Sequence, residues 1–376
     1  MSSTKLKTAN IVSLDATKLT GVMPAISGAN LTGVAPFTVS ASDPAIDTNP
    51  SGGLGTLWMN STSGETYILT DATAGENVWT NVGDGSGNVQ QARTIAGYAS
   101  GGHANAGSNT SIINRYTFGS NNNATTHGDL TAGKQLAESG TSSTTHGYSH
   151  GGATPPAINN IDKFAFASNV TATSHGVLSR TAVASAGAYS STHGFAMSSD
   201  GPGGSTAIDK FAFASNTTAA SHGVLTASNF AYAAGHSSST HGFISGGGSS
   251  ANHINKLAFA SNTTADDHGD LETGVGQNGG TMSTTDGYSS GGTSPMVNKI
   301  QKFAFSSNVT AADHGNLTRD IRLSCGQSST THGYNTGGGE PARTNVIEKF
   351  TFGSASNATD HGDLTLVVSY QAGHEQ

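Results

Sequence analysis

Histidines are the residues of this chain with the widest range of possible chemistry. The sequence contains 15 of them, and ten fall in two repeated series. In the first series a glycine follows each histidine and the copies are 48, 47, 46, 46 and 47 residues apart: His127, His175, His222, His268, His314 and His361. In the second series a glycine and an aromatic residue follow, with aspartate in one position: His146, His193, His241, Asp286 and His332.

Imidazole nitrogens can bind transition metals, but the even spacing argues against a metal site. Metal ligands must converge to within about 2 Å of one ion. A residue that occurs once per repeat lies far from its copies unless all copies point to one axis. A structural hydrogen bond made once per repeat explains the pattern more simply. We therefore predict neither a metal site nor a cofactor.

The acidic residues give no recognisable active site. Asp266, Asp267 and Asp270 are close in sequence, as are Asp360 and Asp363, but no loop of alternating oxygen ligands surrounds them. No nucleophile or acid–base motif is present, so we predict that the chain is not an enzyme. Two carboxylates from different repeats could still form a pair that cleaves glycans.

Two further series recur with the histidines. A basic residue begins a short hydrophobic alternation in every repeat, at Arg115, Lys163, Lys210, Lys256, Lys302 and Lys349. We expect these side chains to be solvated or paired across strands, with a charged ring at a central axis as the alternative. Asn169, Asn216, Asn262 and Asn308 match the glycosylation sequon. Because they follow a strand segment, we expect their side chains to close a turn.

The elements that position these residues are short strands. In one repeat we predict strands over 182–188, 194–197, 208–213 and 222–225, since apolar residues alternate there and Gly, Ser and Asn separate them. A period of 46 to 48 residues with four strands is typical of a β-propeller blade. The segment 369–374 matches the first strand of a repeat, whereas the first repeat begins with a second strand at 94–102. We therefore predict that the chain ends complete one sheet of a closed ring of six blades.

The composition excludes some classes of function. Net charge is −8 and no cluster of Lys and Arg is visible, so a nucleic-acid partner is not expected. No apolar stretch resembles a signal peptide or a membrane span, and we predict no membrane insertion. The single cysteine, Cys325, cannot form a disulfide within the chain and is predicted to be a buried thiol.

Two resemblances to known families add to these predictions. Segments 287–292 and 300–305 resemble the kelch repeat, in which a strand ending in Gly-Gly precedes an aromatic strand; the expected tryptophan is absent and His314 lies near its place. The phrase Leu-Thr-Gly-Val, which begins at Leu19 and at Leu31, is similar to the start of bacteriophage tail-fibre and other virion appendage proteins. Segments 55–60, 64–69 and 77–81 resemble a small β-module of phage fibres.

The resemblances imply an organisation and a location. We expect an extended attachment segment over 1–40, a small β-module over 41–82, a linker over 83–89 and an all-β, six-bladed kelch-like propeller over 90–376. The phage resemblance implies a homotrimer on the exterior of a virion, joined to other virion proteins through the attachment segment. The residues expected to mediate virion attachment are Leu19, Pro24, Leu31 and Pro36.

The function that follows is that of a virion structural protein, a tail fibre or similar appendage, whose propeller binds a host surface ligand such as a glycan. An architectural adaptor without a receptor role is the alternative, and a glycan-degrading enzyme is the third hypothesis. Irregular loops over 103–110, 153–157, 199–205 and 339–345 follow the second strand of their repeats and are the expected contact region. The candidate ligand-binding residues are His103, Asn105, Thr154, Asp200, Ser249, Asn252, Ser294, Glu340 and Arg343.

Overall fold

The protein is all-β, and its computed structural model describes most of the chain. The described residues are 37–73, 75–82, 93–105, 107–135, 140–199, 205–228, 230–248, 251–293, 295–339 and 342–376. The predicted attachment residues Leu19, Pro24, Leu31 and Pro36 lie outside them. Within this part of the chain, no helix has the length and apolar character needed to cross a membrane.

A small four-stranded sheet comes first. Its strands, in spatial order, are β1 (Phe37–Ser40), β2 (Leu57–Asn60), β3 (Thr66–Asp71) and β4 (Val78–Asn81). β1 is parallel to β2, and the other pairs are antiparallel. One side of this sheet carries Trp58, Tyr67, Leu69 and Trp79, which pack together. The sheet begins at Phe37, so its first strand lies inside the segment 1–40 that the sequence assigned to the fibre.

Six four-stranded antiparallel sheets follow between residues 93 and 376. Sheet I uses β5 (Ala96–Ser100), β7 (Ile112–Thr117) and β8 (Thr125–Asp129), and the short β6 (His103–Ala104) precedes β7. Sheet II comprises β9 (Gly140–Ser142), β10 (His146–His150), β11 (Asn160–Ala165) and β12 (Thr173–Val177). Sheet III comprises β13 (Ala186–Tyr189), β14 (His193–Ser199), β15 (Ser205–Ala212) and β16 (Ala220–Val224).

The remaining sheets repeat this plan. Sheet IV comprises β17 (Ala234–Ser237), β18 (His241–Ser245), β19 (His253–Ala258) and β20 (Asp266–Asp270). Sheet V comprises β21 (Gly279–Met282), β22 (Asp286–Ser290), β23 (Lys299–Ala304) and β24 (Ala312–Asn316). Sheet VI comprises β25 (Cys325–Ser328), β26 (His332–Thr336), β27 (Val346–Thr351) and β28 (Thr359–Asp363), and the chain ends with β29 (Val368–Ser369) and β30 (Ala372–Glu375).

The predicted pairing of the two chain ends is confirmed. β30 is antiparallel to β5, with Ala372 opposite Ser100 and Glu375 opposite Gly97. Sheet I therefore has the spatial order β30, β5, β7, β8, and β30 takes the place of a first strand. The four strands predicted within one repeat are also present as β13 to β16, although β13 begins four residues later than predicted, at Ala186.

Glycines set the distance between the first strands of neighbouring sheets. A Cβ placed on Gly187 in β13 would lie less than 3.0 Å from the carbonyl oxygen of Gly140 in β9. In five further pairs, a Cβ on the first glycine would also lie less than 3.0 Å from the carbonyl oxygen of the second: Gly235 and Gly187, Gly280 and Gly235, Gly326 and Gly280, Gly373 and Gly326, and Gly140 and Gly373. The last pair leads back to Gly140. None of these glycines has a positive φ, so the requirement is close approach of two backbones. The first strands thus contact one another in a cycle.

Outside the first strands, stacked aromatic rings join each sheet to the next. Tyr148 in β10 stacks on Phe213, just after β15, with ring centroids 4.6 Å apart. The equivalent stacked pairs are Tyr98 on Phe166, Phe195 on Phe259, Phe243 on Phe305, Tyr288 on Phe352 and Tyr334 on Phe118. The last pair links sheet VI to sheet I, so the aromatic contacts follow the same cycle. Such offset pairs add roughly 0.5–1.5 kcal/mol each beyond the burial of apolar area.

The sheets have two distinct ends. Where a second strand ends and a third begins, the connections vary in length; we call this end the loop face. At the opposite end, which we call the turn face, connections of constant length join the third strand to the fourth and, in sheets II to VI, the first strand to the second. In sheet III, Ala186 is opposite Met197 at the loop face and Tyr189 is opposite Gly194 at the turn face. The four irregular loops predicted to bind a ligand all belong to the loop face.

Candidate ligand-binding surface

Loops of three consecutive sheets contact one another on the loop face. The loop of sheet VI reaches that of sheet I, because Arg343 Nη2 donates to His103 Nδ1 over 2.8 Å. The loop of sheet I reaches that of sheet II, because Asn109 Nδ2 donates to the carbonyl oxygen of Ala153 over 3.4 Å. We call the described residues of these loops, 103–105, 107–110, 153–157, 339 and 342–345, the three-loop patch.

His103 and Arg343 join two of the three loops of the three-loop patch. Arg343 Nε donates to Ser369 Oγ over 3.1 Å, and its Nη1 donates to the carbonyl oxygen of Ala104 over 3.3 Å. β6 also pairs with β29, which places His103 opposite Ser369. Several polar atoms of the two predicted ligand contacts are therefore used within the protein. Both side chains are half-buried, so they shape the patch and expose only part of their surface.

Asn105 and Thr154 are the two predicted contacts with exposed polar side chains in the three-loop patch, where Ser108 is also exposed. Their backbones are fixed, since the Asn105 N–H donates to Val367 O over 3.3 Å and the Thr154 N–H donates to Pro156 O over 3.2 Å. A fixed backbone with an exposed amide and hydroxyl can donate and accept hydrogen bonds to a polar ligand. These two residues are the predicted contacts best placed for that task.

The other predicted contacts are not part of the three-loop patch. Asn252 lies in the loop of sheet IV, where its carbonyl oxygen accepts a hydrogen bond from the Leu271 N–H over 2.6 Å. Asp200, Ser249, Ser294 and Glu340 lie outside the described residues.

A buried charged cluster, which the sequence analysis did not predict, lies on the turn face. Arg93 Nη1 lies 3.8 Å from Glu375 Oε1, and the two side chains are only 6% and 5% exposed. Arg93 Nη2 donates to Met282 O over 3.3 Å, and the Tyr189 hydroxyl donates to Glu375. Burial raises the pKa of Tyr189, so its proton is retained for this bond. The cluster joins first strands of three sheets to the residue at which the chain enters sheet I.

The first histidine series makes the predicted structural hydrogen bond, and each bond crosses between sheets. His222 Nε2 donates to the carbonyl oxygen of Ala258 over 2.9 Å, which joins β16 to β19. The equivalent acceptors are Ala165 for His127, Ala212 for His175, Ala304 for His268, Thr351 for His314 and Thr117 for His361. Because a carbonyl only accepts, each Nε2 carries a proton. Burial lowers the pKa of His222, which favours the neutral ring.

Three histidines of neither series are fully buried, and two of them, His236 and His374, belong to first strands. His236 Nδ1 donates to Thr281 O over 3.0 Å, and its Nε2 lies 2.8 Å from Ser245 Oγ. His374 makes the matching contacts, with Thr141 O at 3.2 Å and Ser100 Oγ at 2.9 Å. Burial lowers the pKa of His236 to about 4 and that of His374 to about 3. Both rings are therefore structural groups that are neutral near pH 7.

The basic series is paired across strands and lies over aromatic rings. Lys210 is opposite Phe195, and its Nζ is 5.6 Å from the centre of that ring. Arg115 on Tyr98, Lys163 on Tyr148 and Lys302 on Tyr288 are arranged in the same way. Their cross-strand partners lie on the second strands, so the alternative of a charged ring among the first strands is wrong for these residues.

The asparagines of the sequons make a different bond from the one expected. Asn216 follows β15 and its Nδ2 donates over 3.2 Å to Ser174 O in the fourth strand of sheet II. Asn169, Asn262 and Asn308 bond the fourth strand of their preceding sheets in the same way. The expectation of a bond within the turn is therefore wrong. A sequence motif shows that the amide is near a turn, but it does not show which backbone is closest.

Two partly open cavities lie among the described residues. A cavity of about 50 Å³ lies between the first strands and is lined by all six glycines together with Cys325, which is buried as predicted. A larger cavity of about 270 Å³ lies between residues of the small sheet and of sheet I, such as Ile46, Glu76 and Ile95. Among the described residues, no group of three or more His, Cys, Asp or Glu is placed to hold a metal ion.

Neither a protein-family model nor a curated protein sequence matches the chain.

Proposed function

We propose that the chain is a structural protein of a bacteriophage virion, a tail fibre or similar appendage, that binds a host surface glycan. In this proposal the six sheets are the blades of a closed, kelch-like β-propeller. The segment before Phe37 joins the protein to other virion proteins on the exterior of the particle, and three copies associate.

Three cyclic sets of contacts support the propeller. Close backbone approach at the glycines, stacking of aromatic rings and hydrogen bonds from histidines each run from sheet I through sheet VI and back to sheet I. A ring of sheets that contact only their neighbours buries both faces of every sheet and leaves few free edges.

The position of Arg93 is the observation that best supports display of the loop face toward another surface. The small sheet and the preceding segment join the six sheets at this residue, which is buried on the turn face with Glu375. The three-loop patch is on the opposite face. A support attached at the turn face leaves the loop face free to meet another surface.

The chemistry of the three-loop patch favours a neutral, hydroxyl-rich ligand. Asn105 and Thr154 are exposed and uncharged, whereas the cation of Arg343 is engaged with His103, Ser369 and Ala104. An amide and a hydroxyl exchange hydrogen bonds with sugar hydroxyl groups. Hydrogen bonds from single exposed side chains are individually weak, and display of three copies would strengthen binding through effective concentration.

Binding of the full chain to envelope polysaccharides of candidate host bacteria tests this proposal. We expect an Asn105→Ala and Thr154→Ala double variant to lose most of the binding. Ser354→Ala, an exposed hydroxyl on the turn face, is the matched control and should bind like the unchanged protein.

Two results would support the other hypotheses instead. If the unchanged chain bound no envelope material and an image of the particle placed the six sheets between other virion proteins, the adaptor function would replace the proposed one. Release of new reducing ends from a polysaccharide would replace it with glycan cleavage.

A further inference from the structure

One face of the small N-terminal sheet is made of apolar residues and threonines, except at one end, where Asp71 lies opposite Val78 beside a bulge. Side chains alternate along its strands, so the residues that do not join the Trp58 and Trp79 cluster share the other face. The pairings Phe37 with Leu57 and Val39 with Met59 place these side chains together. We call the remainder, which contains no charged residue, the uncharged face: Phe37, Val39, Leu57, Met59, Thr66, Ile68, Thr80 and Val82.

Much of the uncharged face is exposed to solvent. The side chains of Phe37, Val39 and Val82 are 50%, 58% and 57% exposed, and Met59 is 36% exposed. The opposite face of the sheet is buried, since Tyr67, Leu69 and Trp79 are 1% exposed or less. Contiguous apolar surface of this kind marks an interaction site in a soluble protein.

We infer that a second copy of this chain covers the uncharged face. Two identical faces without charge can pack together and bury no ionised group, which would be costly without a partner. The chain carries a net charge of −8, so a charged surface elsewhere on a second copy would meet repulsion that this face avoids.

The position of the uncharged face in the sequence also favours a second copy of the chain as its partner. Phe37 and Val39 belong to β1, an edge strand that comes directly after residues 1–36. Our proposed function assigns association of copies to that preceding segment. An interface on β1 would continue the association into the small sheet. The inference therefore deepens the proposed multimeric display and rests on it.

The mass of the full chain in solution tests the inference. We expect sedimentation to report an oligomer, and Val39→Asp and Met59→Asp to shift the association equilibrium at least tenfold toward the monomer. Leu54→Asp is the control: Leu54 is 64% exposed in the same module but lies outside the strands, so association should be unchanged.

The fold of each variant can be checked directly. Both tryptophans of the chain, Trp58 and Trp79, lie in the buried face of this sheet, and their fluorescence reports whether it remains folded. A monomeric unchanged chain, or folded Val39→Asp and Met59→Asp variants that associate normally, would overturn the inference. The measurement needs no host material, so glycan binding can fail while this interface is retained.

Discussion

His361 Nε2 donates to the carbonyl oxygen of Thr117 over 2.9 Å, although 244 positions separate the two residues in sequence. His222 and Ala258 form the same bond at the same length, but they lie in consecutive repeats. The junction between the last and first sheets therefore has the same geometry as an internal junction.

The first prediction compares these two bonds. His361→Ala and His222→Ala each leave a carbonyl without its donor, which should lower the free energy of unfolding by about 1–3 kcal/mol. Urea denaturation of the two variants measures the difference, and we expect the two losses to agree within about 1 kcal/mol. If His361→Ala has no effect while His222→Ala does, the ring is open at this junction.

The second prediction concerns the C-terminal strand. Deletion of residues 366–376 removes β29 and β30, which exposes the edge of β5 and takes Gly373 from between Gly326 and Gly140. We expect the cooperative thermal transition to be lost, because sheets I and VI then lack a common partner. Calorimetry of this variant and of a chain lacking residues 1–36 provides the comparison. An unchanged transition after removal of residues 366–376 would refute closure.

The sequence predicted much of this fold because its repeats encode contacts that are also repeated. The spacing of His127 and its copies indicated the sheets, and the match between 369–374 and the first strand of a repeat indicated the pairing of β30 with β5. Within each sheet, alternation of residues such as Phe211 and Phe213 placed the strands correctly. These features are local or periodic, so one chain suffices to find them.

The parts that could not be predicted depend on residues that occur once. Arg93 follows a glycine-rich linker and Glu375 is the penultimate residue, and nothing in their spacing relates them to Tyr189. The three-loop patch also depends on which loops touch, and the contact of Arg343 with His103 spans most of the chain. Such pairs become visible only when the ring brings the ends of the chain together.

The third prediction concerns Gly235. Alanine here would place its Cβ less than 3.0 Å from the carbonyl oxygen of Gly187, in the backbone of the neighbouring strand. Because backbone cannot rotate away like a side chain, we expect Gly235→Ala to destabilise the fold by roughly 2–4 kcal/mol. Gly119→Ala is the control, since no atom lies within 4 Å of a Cβ at that position. Chemical denaturation of both variants checks the prediction, and equal stabilities would contradict the close approach.

The fourth prediction is a loss of stability in mild acid. The pKa of His236 is lowered to about 4 in the folded protein, whereas an unfolded histidine titrates near pH 6.5. Between these values the unfolded chain binds the proton and the folded protein does not, so stability falls as the pH falls from about 6.5 to about 4. His374 and His222 act in the same direction, since burial lowers their pKa values as well.

Urea denaturation at pH 7, 6, 5 and 4.5 would measure this dependence. His236→Gln removes one titrating group, so its stability should fall less steeply with decreasing pH than that of the unchanged protein, whatever its stability at pH 7. A slope equal to that of the unchanged protein would show that His236 does not take up its proton on unfolding.

The last prediction contrasts two ion pairs. Arg93 and Glu375 are 3.8 Å apart and almost completely buried, whereas Lys299 and Glu272 are 2.6 Å apart but lie at the surface, with Glu272 47% exposed. Burial, and not separation, should decide their importance. Glu375→Ala leaves the cation of Arg93 buried without its partner, and we expect a loss of about 3–5 kcal/mol. Glu272→Ala should change stability by less than about 1 kcal/mol, because water screens the exposed pair.

A second substitution separates the charge from the packing at this site. Arg93→Met combined with Glu375→Gln removes both charges and keeps most of the volume, so it should recover much of the stability that Glu375→Ala loses. Thermal and chemical denaturation of the three variants measure these differences. If Glu375→Ala is no more harmful than Glu272→Ala, Arg93 is not fixed among the first strands, and the direction in which the N-terminal segment leaves the six sheets is not set by this residue.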